Sequence, residues 1–199
     1  MKAHDRTPIA TPVLIGFSLL LIGATQITAL WVLTKAILPT FTKLSPVEEV
    51  QPAKFSPQMY QLEIVDNRIQ LTPKTVYTVA TSRKLALTEA LEKLLAYSPA
   101  LDPTTTIPSQ TRLLNLDLTE DGVYVDLSPE FAEGGGSSSM IYRVAQVLYT
   151  TTSIDPQTPV FLSIAGKPLD DNYPLGGEGL TLDYPTTRQQ FNRDFLAEY

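Results

Sequence analysis

Four carboxylates are the residues of this sequence that could act together in acid–base chemistry. Asp117, Asp126, Glu130 and Glu133 lie in a short stretch that contains a predicted hairpin and the loop after it. Two carboxyl groups at a suitable separation can hydrolyse a glycosidic bond. In the predicted hairpin, however, Asp117 and Asp126 are not directly opposite, and Asp126 lies next to a Ser-Pro turn, where it can accept a local hydrogen bond. We therefore assign no catalytic residue. Hydrolysis remains a third hypothesis, after protein binding and glycan binding.

Histidine and cysteine, the other usual sources of reactive groups, provide little further chemistry. His4 is the single histidine and precedes a long apolar segment, and the chain has no cysteine. Beyond that segment the chain therefore has neither a serine–histidine pair nor a thiolate nucleophile, and it cannot form a sulfur-ligated metal site. We predict no catalytic residue, no cofactor and no metal.

A run of three glycines, Gly134, Gly135 and Gly136, has the composition of a phosphate-binding loop. It lacks the lysine and hydroxyl pair of a Walker loop, and Glu133 beside it already supplies negative charge. We interpret this run as a flexible turn before a helix.

The helix predicted after this turn, from about Ser138 to Thr151, has aromatic and polar residues at suggestive positions. Tyr142, Gln146 and Tyr149 share one stripe, with Arg143 alongside. Tyrosine and arginine are enriched at protein–protein interfaces. Two interpretations stay open: these four residues form an interaction surface, or the tyrosines lie against the domain's own C-terminal segment.

A long apolar segment, Val13–Leu33, contains no charged residue, and a helix of about 21 residues crosses the hydrocarbon core of a bilayer. It is longer than the apolar region of a secretory signal peptide. We predict an uncleaved transmembrane anchor, with a cleaved signal as the alternative. The leader, residues 1–12, is too short to fold, so we expect it in the cytoplasm and the C-terminal domain on the extracytoplasmic side.

Composition divides the rest of the chain into a linker and one domain. Residues 34–59 contain several prolines among polar residues and predict a semi-extended linker, which leaves residues 60–199 for a single domain. The formal net charge of the chain is −6, and no basic cluster interrupts the excess of negative charge. A nucleic-acid partner is therefore not expected.

Strand and helix patterns alternate within the domain. Strands are predicted at residues 60–64, 69–71 and 74–80, followed by a helix that Ser82 caps. A hairpin, the second helix and a strand at residues 159–164 complete the order β-α-β-β-α-β. This order predicts an α+β fold in which two helices cover a mixed sheet.

The hairpin is the clearest predicted element, with a turn at Thr119–Gly122. Its six apolar side chains share one face, in the pairs Leu118–Val123, Leu116–Val125 and Leu114–Leu127. The other face is wetter and contains the pairs Asn115–Asp126 and Asp117–Tyr124.

Several short motifs occur together along this predicted domain. They are Asp126-Leu127-Ser128, Phe131, Gly134-Gly135-Gly136, Gly166, and a closing segment with Pro185 and Arg188. In these residues the chain resembles the GerMN domain, a family named for sporulation and spore germination, over about Tyr60 to Phe191. The resemblance implies a bacterial cell-envelope protein with no known catalytic residues, and a fold similar to the ring-building modules of secretion machines.

These observations lead to three hypotheses. The first is a non-enzymatic, single-pass protein of the bacterial cytoplasmic membrane whose exported domain binds an envelope protein or itself. The second is a peptidoglycan-binding or other glycan-binding module that assists a cell-wall-processing enzyme. The third is the weak hydrolase that would use the carboxylates.

Overall fold

The computed structural model describes residues 55–97, 104–176 and 179–197. The predicted leader, the transmembrane anchor at residues 13–33 and most of the predicted linker lie outside these ranges. Within the described ranges, no helix is both long and apolar enough to span a bilayer.

Strands and helices follow one another in an α+β order, as predicted. The elements are β1 (Gln58–Val65), β2 (Arg68–Thr75), α1 (Arg83–Leu95), β3 (Leu113–Leu118), β4 (Val123–Leu127), α2 (Ser137–Thr151), β5 (Val160–Ile164), β6 (Lys167–Pro168) and α3 (Arg188–Phe191). A four-stranded sheet has the order β3-β4-β5-β6, in which β4 and β5 are parallel and the other neighbours antiparallel. The predicted mixed sheet is therefore present.

The first hairpin forms a separate two-stranded sheet, which corrects the predicted β-α-β-β-α-β arrangement. β1 pairs with β2 on one edge, and backbone N–H groups on its other edge donate to partners outside any strand. The N–H of Tyr60 donates to Thr150 Oγ1 at 3.0 Å, and that of Leu62 donates to the Thr104 carbonyl at 2.7 Å. Because these donors are already used, β1 cannot pair with a further strand on that edge.

The strand predicted at residues 74–80 ends early, since β2 stops at Thr75. Beyond it, the N–H of Ala80 donates to Thr78 Oγ1 at 2.8 Å, a local bond that competes with strand pairing. The segment stays alternating in burial: Val76 is buried, whereas Tyr77 has 88% of its surface exposed. The alternation of burial therefore continues beyond β2, in an extended segment whose Val76 N–H still donates to the Pro57 carbonyl at 2.9 Å.

Helices α1 and α2 pack together and against the inner face of the larger sheet. Ser82 caps α1 by accepting from the N–H of Leu85 at 3.2 Å, as predicted. The leucine stripe of α1 is buried, and so is the predicted apolar face of α2, which includes Val144 and Val147. These side chains form one core with the inward-facing residues of β3, β4 and β5.

The second hairpin has the predicted turn but a shifted start. Leu118 faces Val123 and Leu116 faces Val125, as expected, whereas Leu113 and not Leu114 faces Leu127. The register shifts between Leu113 and Asn115, so Leu114 is left out of the pairing and is half exposed. A β-bulge at this place corrects the predicted third apolar pair.

Candidate functional site

Helix α2 lies at the centre of the domain, and this determines the surroundings of the four predicted interaction residues. Tyr142, Arg143 and Gln146 are buried, with exposed fractions of 6%, 2% and 0%, and Tyr149 is partly buried. The Tyr149 hydroxyl donates to Asn192 Oδ1 at 2.6 Å, just after α3. These four residues therefore do not form an exposed surface, and Tyr149 contacts the domain's own C-terminal segment.

Arg143 connects α2 to the glycine loop. Its Nη1 donates to the carbonyl oxygens of Phe131 and Glu133 at 2.7 and 3.0 Å, and its Nη2 donates to that of Gly134 at 2.9 Å. Burial lowers the pKa of the Arg143 guanidinium. Gly135 has a φ of +80°, and a Cβ at this position would lie 2.7 Å from Nη2. A side chain at this position would therefore have to displace Arg143 or Ser139.

Gln146 connects α2 to the first hairpin and to the loop before β3. Its Nε2 donates to the carbonyl oxygens of Tyr60 and Thr104 at 3.0 and 3.1 Å. Its Oε1 accepts from Thr105 Oγ1 and from the N–H of Thr106, both at 3.2 Å. Both amide protons and the amide oxygen have partners, which is what allows the side chain to be fully buried.

Arg188 attaches the C-terminal segment to the end of α2. Its Nη2 donates to the Tyr149 carbonyl and its Nε to Thr152 Oγ1, both at 2.6 Å. Its guanidinium carbon also lies 4.4 Å from the ring centre of Tyr149 and 5.2 Å from that of Tyr60. A cation at this place is stabilised by the dipole at the C-terminus of the helix and by cation–π contact with the two aromatic rings.

The remaining motif residues have structural contacts as well. Asp126 Oδ1 accepts from the N–H of Gly166 at 2.9 Å and from Ser163 Oγ at 3.0 Å. Ser128 Oγ accepts from the N–H of Arg112 at 2.9 Å. Of the others, Leu127 and Phe131 lie in the core, Gly136 is the N-cap residue of α2, and Pro185 follows Tyr184 through a cis peptide bond.

Asp117 and Glu130, two of the candidate carboxylates, are engaged in separate ion pairs. Asp117 lies 3.0 Å from Lys84 Nζ, and Glu130 lies 3.6 Å from Arg112 Nη2. Hydrogen bonds lower the pKa of both carboxyl groups, chiefly one from Lys84 in the first case and one from Ser128 in the second. The general acid of a glycosidase needs the opposite shift, a raised pKa. Neither residue has it.

The face of the larger sheet that points away from the helices presents aromatic side chains. Tyr124 of β4 and Phe161 of β5 are register partners, and their rings stack in parallel with centres 4.1 Å apart. Tyr184 meets Phe161 edge to face at 5.2 Å and is 42% exposed. Asp126 lies on the same face, next to Tyr124 along β4. We call Tyr124, Asp126, Phe161 and Tyr184 the open sheet face.

A polar cleft of about 360 Å³ adjoins the open sheet face, because Tyr184 belongs to both. Four carboxylates line it: Asp170, Asp171, Asp183 and Asp194. Within residues 55–97, 104–176 and 179–197, no three histidine, cysteine or acidic residues are placed to hold a metal ion. Burial raises the pKa of Tyr184, as do the neighbouring groups Tyr124, Asp170 and Asp126.

The architecture defines a class of small α+β domains, in which a buried arginine joins a glycine loop to a central helix. The family model described as Germane, sporulation and spore germination, matches residues 58–170, more than half of the chain. The chain therefore belongs to this family, and the resemblance to the GerMN domain is confirmed.

Solved structures agree with this assignment at the level of the fold. The first GerMN domain of the sporulation protein GerM from Bacillus subtilis is 24% identical with a TM-score of 0.50, and the match covers 67% of this chain and 98% of that domain. The tandem GerMN domains of the same protein match with the same identity and TM-score, over 46% of their length. No curated protein matches the chain.

Proposed function

We propose that this protein is a non-enzymatic binding module of the bacterial cell envelope. In this proposal Val13–Leu33 anchors the chain in the cytoplasmic membrane, and the described domain lies on the extracytoplasmic side, where it assembles with an envelope protein or with itself. The observation that supports it most directly is the open sheet face, where Tyr124, Phe161 and Tyr184 present aromatic surface on the side of the sheet away from α1 and α2. Tyrosine and phenylalanine are enriched in protein interfaces.

The chemistry of the domain also favours binding over catalysis. Its motif residues fasten loops and helices to one another: Arg143 holds the glycine loop, and Arg188 holds the C-terminal segment. In both cases the guanidinium donates to oxygen atoms of the domain itself. A surface that is rigidly supported and chemically unreactive is suited to assembly.

Glycan binding is the second candidate function, because the same rings favour it. Flat aromatic side chains provide apolar surface on which a sugar ring can stack, and the adjoining cleft offers carboxylate and amide acceptors for its hydroxyl groups. In this case the partner would be peptidoglycan rather than a protein.

Photocrosslinking in intact membranes tests the assembly. The full-length chain would carry a photoreactive amino acid at Tyr184, with the same substitution at Tyr77 as a matched control, since Tyr77 is exposed on a different part of the domain. We expect a discrete protein adduct from position 184 and none from position 77. An adduct that a muramidase digests would favour peptidoglycan, and equal labelling from both positions would contradict the proposed surface.

Membrane topology is tested separately by protease digestion of spheroplasts. We expect external protease to cleave the domain while a cytoplasmic marker survives. Full protection of the domain until the membrane is lysed would overturn the extracytoplasmic placement.

A further inference from the structure

We propose that the open sheet face and the acidic cleft beside it recognise a cationic segment of a protein partner, one that presents lysine or arginine side chains. This inference rests on the proposed function, since it names the chemistry of the partner that the same surface would bind.

The carboxylates around Tyr184 lack cationic partners of their own. Asp170, Asp171 and Asp183 line the cleft, and Asp126 lies on the adjoining sheet face. Among the described residues, none of these four forms an ion pair. Elsewhere on the described domain, Glu63, Asp117, Glu130 and Asp155 each lie within 4.0 Å of a lysine or arginine nitrogen.

Arg193, which lies next to the cleft in the sequence, already forms an ion pair with Asp194 of the cleft lining. Arg193 Nε donates to Asp194 Oδ1 at 2.8 Å, and its Nη2 donates to Asp194 Oδ2 at 3.2 Å. This bidentate pair neutralises Asp194, and the Arg193 charge also acts on Asp183, whereas Asp170 and Asp171 in the cleft lining have no cation within ion-pair distance among the described residues. The remaining carboxylates therefore attract an external cation.

Tyrosine rings on this domain already bind cations. Lys167 Nζ lies 5.1 Å from the ring centre of Tyr173, and Arg188 packs at 4.4 Å over Tyr149. Tyr184 offers the same kind of ring at the edge of the cleft, where burial, and after it the nearby Tyr124, Asp170 and Asp126, raise the pKa of its hydroxyl group. An aromatic ring flanked by unpaired carboxylates suits an arginine or lysine side chain, which gains from both.

The net negative charge of the whole domain also favours a cationic partner. From Phe55 to Tyr199 the sequence has 10 lysine and arginine residues and 18 aspartate and glutamate residues, a formal charge of 10 minus 18, or −8. A field of this sign accelerates the approach of a cationic partner and repels an anionic one, and salt weakens both effects.

Peptide binding to the full-length chain in nanodiscs of zwitterionic lipid tests the inference. The probe is fluorescent decaarginine, with decaglutamate as the opposite charge. We expect saturable binding of decaarginine only. Replacement of Asp170 and Asp183 together by asparagine should weaken it by about tenfold. Asparagine keeps an acceptor oxygen for the loop, and circular dichroism would verify that the variant folds.

A charge-matched variant, Asp66→Asn with Glu92→Gln, changes the same number of charges on other exposed surfaces. It should retain binding within about twofold. Equal weakening by both double variants would show attraction to net charge alone and overturn the inference, as would the absence of decaarginine binding. If position 184 still crosslinks to a protein in that case, the proposed function stands and only the cationic partner is rejected; if neither signal appears, both fail.

Discussion

Nη1 of Arg143 donates to the carbonyl oxygen of Phe131 at 2.7 Å, and both residues are almost completely buried. Phe131 belongs to the short turn of 3₁₀ helix at Pro129–Ala132, whereas Arg143 lies in the second turn of α2. The bond therefore fixes how the chain leaves β4 and enters α2. Because the guanidinium is charged, its bonds to carbonyl groups are stronger than those between neutral groups.

Replacement of Arg143 by lysine should destabilise the domain. A lysine ammonium group keeps the charge but cannot reach the carbonyl oxygens of Phe131, Glu133 and Gly134 together, since it donates from one point. We expect the free energy of unfolding to fall by about 2–3 kcal/mol, measured by urea denaturation of the full-length chain in detergent micelles. Arg112→Lys, at a largely exposed position, is the control and should change little. Equal stability of the two variants would contradict the role of Arg143.

The glycine loop should distinguish two neighbouring alanine substitutions. Gly134 and Gly135 both have positive φ angles, so each alanine variant is strained by about 1 kcal/mol. Only at Gly135 does a Cβ meet other atoms, Arg143 Nη2 at 2.7 Å and Ser139 Cβ at 2.8 Å. Gly135→Ala should therefore lose about 1–3 kcal/mol more than Gly134→Ala in the same denaturation experiment. A loss of the same size in both would mean that the loop is not packed against the arginine.

The β-bulge at the start of β3 predicts a contrast between two leucines. Leu114 is left outside the pairing and is half exposed, whereas Leu116 is buried in the core. Leu114→Ala should change the free energy of unfolding by less than about 0.5 kcal/mol, and Leu116→Ala should lower it by about 2–5 kcal/mol. The unshifted register would give large losses at both positions, so comparison of the two variants decides between the registers.

Asp155 should contribute to the loss of stability in acid. Its pKa is lowered, chiefly by a hydrogen bond from Thr158, then by the N–H of Gln157 and by nearby Arg83. A carboxyl group whose pKa is lower in the folded state stabilises the fold above its unfolded pKa, and this contribution disappears as the pH falls through the folded value. The wild type should lose stability below about pH 4, and Asp155→Asn should lose less over that range.

Thermal unfolding midpoints measured from neutral pH down to about pH 3 would check this. Asp171→Asn, at an exposed position, is the matched control and should follow the wild type. Parallel curves for Asp155→Asn and the wild type would contradict the prediction.

Elements defined by local patterns were predictable, as the Ser82 cap, the Thr119–Gly122 turn and the second helix show. The environment of α2 was not predictable from local patterns. Charged and amide side chains are usually exposed, which is why the sequence favours an interaction surface as one interpretation of Arg143 and Gln146. Their burial depends on carbonyl groups that distant loops bring to them, and no local periodicity encodes such partners.

The aromatic face depends on pairing between distant strands. Tyr124 was placed on the wetter face of its hairpin, but its contact with Phe161 requires the parallel pairing of β4 with β5. Tyr184 joins them from a segment that has no regular structure and no periodic signal. The candidate binding surface was therefore only partly visible in the sequence.

The strand that follows the linker is also the strand bonded to α2. The N–H groups of Gln58 and Tyr60 donate to Ser153 Oγ and Thr150 Oγ1, and Arg188 packs over the Tyr60 ring. If the predicted N-terminal anchor transmits a mechanical pull, the tension reaches β1 first, a strand that is bonded both to β2 and to the end of α2. We expect a domain that is attached at this strand to resist being peeled apart from its N-terminal end.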